Sequence, residues 1–466
     1  MITQETLPGI EMTGDADASA LYERAIACLL RFDPQVLDLA TQLASADDPV
    51  PMAHVLMAYL HLMGTDPDDL ATARTAYESL RNAGGNERER AHAEAIGAWL
   101  DGDWIGAQRR LEDLLVRWPT DVLALFIGHQ LDFFVGDAHT LRDRPIRTLR
   151  ALDPEHPYAP FVKGMASFGL EEAGHYEQAI DVGLAAVAAN PDDVWGVHAV
   201  VHAYEMLGRV DDGIRFMRSD ETRWESGNLF TVHNWWHLAL YELEAERPER
   251  SLAIYDAEVH HAGSACVPIE MLDASALLWR LRLSDIDTGD RFGVLADAWV
   301  PKAANEPWYV FNDLHAVMAF AGAGRLAEAH ELIGRLDRWL DTAGGTNARM
   351  TAEIGLPTCR AAVAFIEERY ADVIAELLPI RRIFNHFGGS HAQRDALQRT
   401  LLEAALRSGR YELAAALTAE RLGIREVGTY SWAQRARALR GLGDTTGAVD
   451  AEARAAAARD RFRQAG

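Results

Sequence analysis

Cysteine is scarce: Cys28, Cys266 and Cys359 are the three thiols in 466 residues, far apart and in no CxxC pair. That spacing excludes a disulfide framework and a thiolate zinc knuckle, and it fits reduced thiols in a cytoplasmic protein. Long apolar runs are missing as well. VLALFIGHQLDFFVG and its like are broken well short of the roughly 18 residues that span a bilayer, so no membrane partner is expected. The N-terminal MITQETLPGIEMTGDADAS has no basic segment followed by an apolar one, and no secretory signal is read from it. Basic charge is in the minority: 45 Lys and Arg against 70 Asp and Glu leave a net −25. Such an excess repels a phosphate backbone, and no nucleic-acid partner is expected.

The familiar catalytic motifs are absent too. There is no HExxH, no GxSxG elbow, no P-loop and no GxGxxG opening a helix after a strand. Gly388-Gly389 lacks the Lys and Ser/Thr of a phosphate loop and reads as a turn before a helix. No β-alternating run flanks an Asn-Gly or Asp-Gly hairpin turn.

What is present is a helical repeat. Hydrophobic residues make up 49% and charged residues 25%, enough for an ordinary globular core. Pro157 and Pro191 are 34 apart, as are Gly174 and Gly208, and again Gly409 and Gly443. That period is the length of a tetratricopeptide unit of two antiparallel helices. In NPDDVWGVHAVVHAYEMLGRVDDGIRFM, Asn190 or Asp192 can cap the first helix, Gly208 ends it, and Asp211 can start the second. The expected fold is therefore all-α, a tetratricopeptide-like α-α superhelix. Residues 1–15 read as a flexible tail and 16–466 as one helical-repeat domain, with loops at 262–268 and 342–347.

Two pairs of histidines stand out, His198 with His202 and His233 with His237. A spacing of four puts each pair on one helical face. At about 100° per residue, His198, His202 and Glu205 fall within an arc of about 60°. Further polar groups sit on other first helices of repeats: His129, Asn312 with His315, and Arg394 with Asp395 and Gln398. A superhelix that curls tightly would gather them around one pocket. Each has a plainer reading, as a hydrogen-bonded core histidine, a packing aromatic for Trp235 and Trp236, or a cap for Asn234 and Asp313. Four buried imidazoles need partners, however, and a divalent metal such as Zn or Fe is one, with Glu205 completing a His/carboxylate set.

At these residues the chain resembles the tetratricopeptide repeat protein 38 family. The matching stretches run in order from PTDVLALFIGH through FVKGMASFGLEEAGHYEQA, DDVWGVHAVVHAYEM, HNWWHLALYELE, FNDLHAVMAF and GLPTC to LLPIRRIFNHFGGSHAQRD. The resemblance implies a repeat fold and marks His129, Lys163, His198, His202, Glu205, His233, Asn234, His237, Asn312, Asp313, His315, Gln393, Arg394 and Asp395. The chain departs from the family at Gln130 and His391, where Asp and Asn are expected.

Two functions compete. In the first, a small-molecule binder or metal-dependent enzyme uses His198, His202, His233 and His237 as ligands. His198, Glu205, His315 and Asp395 are then its acid, base and orienting groups, and His129, Lys163, Asn234, Asn312, Asp313 and Arg394 contact substrate. In the second, a non-catalytic scaffold holds a peptide or protein in its groove.

Overall fold

The computed structural model describes residues 10–46 and 49–464. The all-α expectation holds: no β-strand occurs among the described residues. The first helices in chain order are α1 Ala16–Leu30, α2 Gln35–Ala44, α3 Pro51–Met63, α4 Leu70–Ala83, α5 Glu87–Leu100, α6 Trp104–Arg117, α7 Val122–Phe134 and α8 Ala138–Ala151. Then come α9 Ala159–Glu172, α10 Tyr176–Ala189, α11 Val194–Leu207, α12 Val210–Ser219, α13 Thr231–Glu244, α14 Pro248–Ile254, α15 Pro268–Leu283 and α16 Arg291–Ala303. The last are α17 Val310–Gly322, α18 Leu326–Leu340, α19 Gly345–Met350, α20 Leu356–Ile366, α21 Tyr370–Ile380, α22 His391–Arg407, α23 Tyr411–Leu422, α24 Thr429–Gly441 and α25 Thr445–Arg463. Successive helices pair through short turns, as tetratricopeptide units do.

The described helices gather into two compact units. One holds the residues up to Ala199 with Arg223–Thr231 and Gly344–Asn347. The other holds Val200–Thr222, Val232–Ala343 and the residues from Ala348 on.

Local chemistry explains the helix ends. Asp103, Asp121, Asp137 and Asp444 cap α6, α7, α8 and α25 by accepting a backbone N–H two or three residues on, the usual N-cap bond. Gly208 closes α11 at φ 69°, a left-handed conformation that L side chains disfavour. The cap of α11 differs from expectation. Asp193, rather than Asn190 or Asp192, accepts the Gly196 N–H at 3.0 Å. The double-glycine turn is as read, with Ser390 and Gln393 then forming a capping box at the start of α22.

Two stretches depart from the loop and tail assignments. α19 begins at Gly345, inside the segment read as a loop. Of the tail, residues 1–9 lie outside the described residues, whereas Thr13 donates both its N–H and its hydroxyl to the Glu89 carboxylate at 2.7 Å. The described part of that segment is thus docked on α5. None of the described helices is long and apolar enough to cross a membrane.

The first unit buries charge as well as apolar surface. Its aromatic core joins Phe32, Phe126, Trp195 and Phe230, with ring centroids 5.0–5.7 Å apart. Asp121 does three jobs there. It caps α7, accepts from Arg88 at 2.7 Å and meets His92 Nε2 at 3.1 Å, while His92 Nδ1 meets the Tyr59 hydroxyl. Burial alone would raise the Asp121 carboxyl, but His92 and Arg88 hold it well below the usual carboxylate range.

Because the folded value lies below the unfolded one, this carboxylate's stabilisation is present above about pH 3.9 and is lost as pH falls further. Asp121→Asn is expected to destabilise by about 3 kcal/mol at neutral pH, since it strands Arg88. The gap from wild type should narrow in acid. Urea denaturation at pH 7 and pH 3 measures both, and a gap independent of pH would contradict the assignment.

Candidate metal centre

The motif TVHNWWHLALYE forms α13, and its spacing of four lines up His233, His237 and Tyr241 on one stripe. The stripe is anchored at Tyr241, whose hydroxyl donates to the Val201 carbonyl of α11 at 2.6 Å. Gly213 of α12 leaves room for that ring, because a Cβ there would sit 2.3 Å from Tyr241 Cζ. The second half of α11 presents His202 and Glu205 to the same stripe.

Three imidazoles meet in the second unit. His202, His233 and His237 each bring a ring nitrogen within 4.8 Å of the others. The His202 and His237 rings lie 4.3 Å apart edge to face, and those of His233 and His237 4.7 Å apart. His233 Nε2 and His237 Nε2 are separated by 3.2 Å. Two nitrogens bound to one tetrahedral zinc at about 2.0–2.1 Å stand about 3.3–3.4 Å apart, so the pair already has a coordination edge.

The outer nitrogens carry the stronger argument. His233 Nδ1 lies 2.6 Å from Asp273 of α15, which is 0% exposed and also accepts from Gln393 Nε2 at 3.3 Å. The Nδ1–H donates to that carboxylate. An imidazolium at His233 would also donate Nε2–H to His237 and free its Nδ1–H for Glu205; with His233 neutral, His237 uses its own proton on Nε2 to bridge to His233. Its bare Nδ1 would face the Glu205 carboxylate, 3.4 Å away, acceptor against acceptor. Burial first, then the neighbouring His233 and Arg280, push His237 well below the ordinary histidine range, so a second proton is disfavoured. A metal ion on the two Nε2 atoms removes the conflict, since His237 Nδ1–H is then free to donate to Glu205. His233 and His237 would then each have a carboxylate behind them, the usual arrangement around protein-bound zinc.

The other sequence-predicted residues divide. His198 stands one turn before His202 on α11. Its ring lies among Phe168, Trp195 and Phe230 of the first unit at 4.9–5.0 Å. His129 is fully buried against Phe168 and Trp195, and burial with the Arg144 charge pushes it down to about 3. Lys163 is half-buried on α9. His129 and Lys163 thus belong to the first unit, not to the three-imidazole cluster.

In the second unit, His315 donates Nδ1–H to the Phe311 carbonyl at 2.7 Å, which leaves Nε2 as an acceptor. Burial lowers it to about 4, so it is neutral at physiological pH. Asn312 is buried beside it on α17, while Asp313 is raised by burial to about 7 against the pull of Arg335. Asn234 is 0% exposed, and neither polar atom of its side chain has a hydrogen-bond partner. Arg394 donates to the Gly389 carbonyl.

Asp395 differs most from its expected orienting role. It accepts from Arg399 and Arg421, each at 2.6 Å, with Arg425 at 3.7 Å. Burial would raise its carboxyl, but these guanidiniums hold it well below the usual range. It braces arginines and is no proton donor at neutral pH.

No protein-family model matches the chain. Solved structures it is similar to include the human IFIT1 dimer with PPP-AAAA, at 11% identity and a TM-score of 0.37, covering 96% of this chain and 91% of that one. The human IFIT1 dimer with m7Gppp-AAAA is similar at 11% identity and 0.38, covering 96% of both. These structures correct one expectation, the exclusion of nucleic acid. Each pairs a helical-repeat protein with a nucleic-acid ligand. Net charge is moreover a sum over the whole chain and does not report a local arginine cluster such as that around Asp395.

Sequence reading missed Asp273 and Arg280. Both lie on α15, seven apart and so on one face, in a helix whose other central residues are apolar or small. Two charges on the same stripe of an otherwise apolar helix are the signal that could have found them.

Asp395→Asn is expected to cost about 3 kcal/mol, because it leaves Arg399 and Arg421 buried without their shared carboxylate. Thermal unfolding checks it. A variant as stable as wild type would show that the three arginines do not depend on Asp395.

Proposed function

We propose that the protein is a metal-dependent, small-molecule-binding repeat protein of the tetratricopeptide repeat protein 38 type, working in the cytoplasm. A divalent transition metal, Zn or Fe, would be held by His202, His233 and His237. The observation that carries this reading is the pair of carboxylates, Asp273 and Glu205, behind the Nδ1 atoms of two imidazoles whose Nε2 atoms converge. When bound, the metal would supply Lewis acidity and an activated water. The chain's own part is to orient the ligands from α11, α13 and α15. Its His315 Nε2 is available to accept a hydrogen bond from a ligand. The scaffold alternative rests on fold likeness alone and gives no reason for a carboxylate behind each ring.

Elemental analysis of protein purified without an affinity tag is expected to find about one equivalent of Zn or Fe, lost in His202→Ala and His237→Ala. Substoichiometric metal in the wild type would overturn the reading. Asp273→Asn should keep the site but weaken metal affinity by about 10–100-fold, as loss of an outer carboxylate does. Competition with a chelating dye measures that change, and unchanged affinity would remove Asp273 from the site.

A further inference from the structure

Arg280 is a buried cation whose neighbouring carboxylates, Asp395 and Glu205, stand beyond salt-bridge distance. It is 2% exposed, and no carboxylate lies within 4 Å of its guanidinium among the described residues. Its hydrogen bonds go to the carbonyls of Ala276 and Ala392, and it lies 5.5 Å from the Trp236 ring centroid. Burial lowers it only to about 10, so it remains charged at neutral pH. A buried, unpaired charge is costly, and proteins seldom keep one without a partner.

The side chain lines a small cavity in the second unit, whose charged and hydroxyl-bearing walls are Glu205, Tyr241, Glu244, Arg280, Arg399 and Arg425. Arg399 is already engaged by Asp395 at 2.6 Å and Glu244 at 3.1 Å. Arg425 is poorly compensated like Arg280, its nearest carboxylate oxygens standing 3.7 Å away on Asp395 and 4.0 Å away on Glu205. Three guanidiniums thus face two carboxylates across a space of about 20 Å³, enough for one small group. Glu205 links this cavity to the back of His237.

We infer that the cavity is an anion subsite for a carboxylate-sized group, bound between Arg280 and Arg425. A carboxylate offers two acceptor oxygens to planar guanidinium donors and supplies the one negative charge the walls lack. Its natural occupant is the carboxylate of a small organic acid. The small volume favours the smaller, planar carboxylate over a tetrahedral phosphate. The assignment does not depend on the metal.

The test uses 13C-formate on the full chain after metal is stripped with a chelator. Saturable line broadening, reversed by unlabelled acetate and not by an equal concentration of inorganic phosphate, is the expected result. Arg280→Met should abolish it, and Arg425→Gln should weaken binding about tenfold, in line with loss of a charge-assisted hydrogen bond. Circular dichroism verifies that the variants fold. If Arg280→Met does not, Arg425→Gln carries the comparison. No saturable broadening in the wild type would overturn the subsite, as would equal broadening in the folded variants. Formate binding that appears only in metal-loaded protein would assign the anion to the metal and likewise overturn it. Equal competition by phosphate would refute the size assignment.

Discussion

The bond between His233 Nδ1 and Asp273 governs the centre of the second unit. It fixes one ring's tautomer, and that choice propagates. A lone pair on His233 Nε2 determines what His237 can place opposite it, and this in turn determines what faces Glu205. A short chain of proton positions thus couples α15, α13 and α11, and the chain closes without conflict when a cation takes the place of the bridging proton. The geometry is inherited from packing: Tyr241 pins α13 to α11, and Gly213 allows that approach. The spacing of the His233 and His237 nitrogens is therefore a consequence of how the helices lie.

Much of the fold was legible because helical repeats write themselves in short-range signals. Asp before a helix and glycine after it, at a period of 34, reflect capping and left-handed closure, which need no knowledge of distant contacts. Of the site, the stripe of His233 and His237 and the face of His202 and Glu205 were legible for the same reason, since helical periodicity places them. Asp273 and Gln393 were not visible as partners. Asp273 meets His233 from 40 residues away and Gln393 meets Asp273 from 120, and spacing along one helix carries no information about which other helix it will meet. His129 shows the converse. Its residue type suggested chemistry, but its burial against Phe168 and Trp195 is a packing outcome that sequence alone does not separate from ligation.

Charge was the least legible property. A net −25 spread over the chain gave an expectation about partners that local structure does not respect. Arg399 and Arg421 are drawn together around Asp395, with Arg425 nearby and Arg280 beyond carboxylate reach. Electrostatic interactions inside a protein fall within a few ångströms of their sources and are weakly screened, whereas the total charge acts over the solvated exterior. The two can have opposite sign, and here they do.

Stability alone would not have built this interior. Asn234 lies beside the coordinating stripe with both side-chain polar atoms buried and without hydrogen-bond partners, a cost of about 1–3 kcal/mol that an apolar residue of similar size would avoid. Arg280 incurs a larger one of the same kind. The first unit is mixed: Arg88 and His92 close on Asp121 and Arg144 bonds Asp132 twice, while Asp193 Oδ2 is buried without a hydrogen-bond partner among the described residues. A set of buried polar groups that is complete can be explained as architecture. The opening at Arg280 is the one that the proposed anion would close.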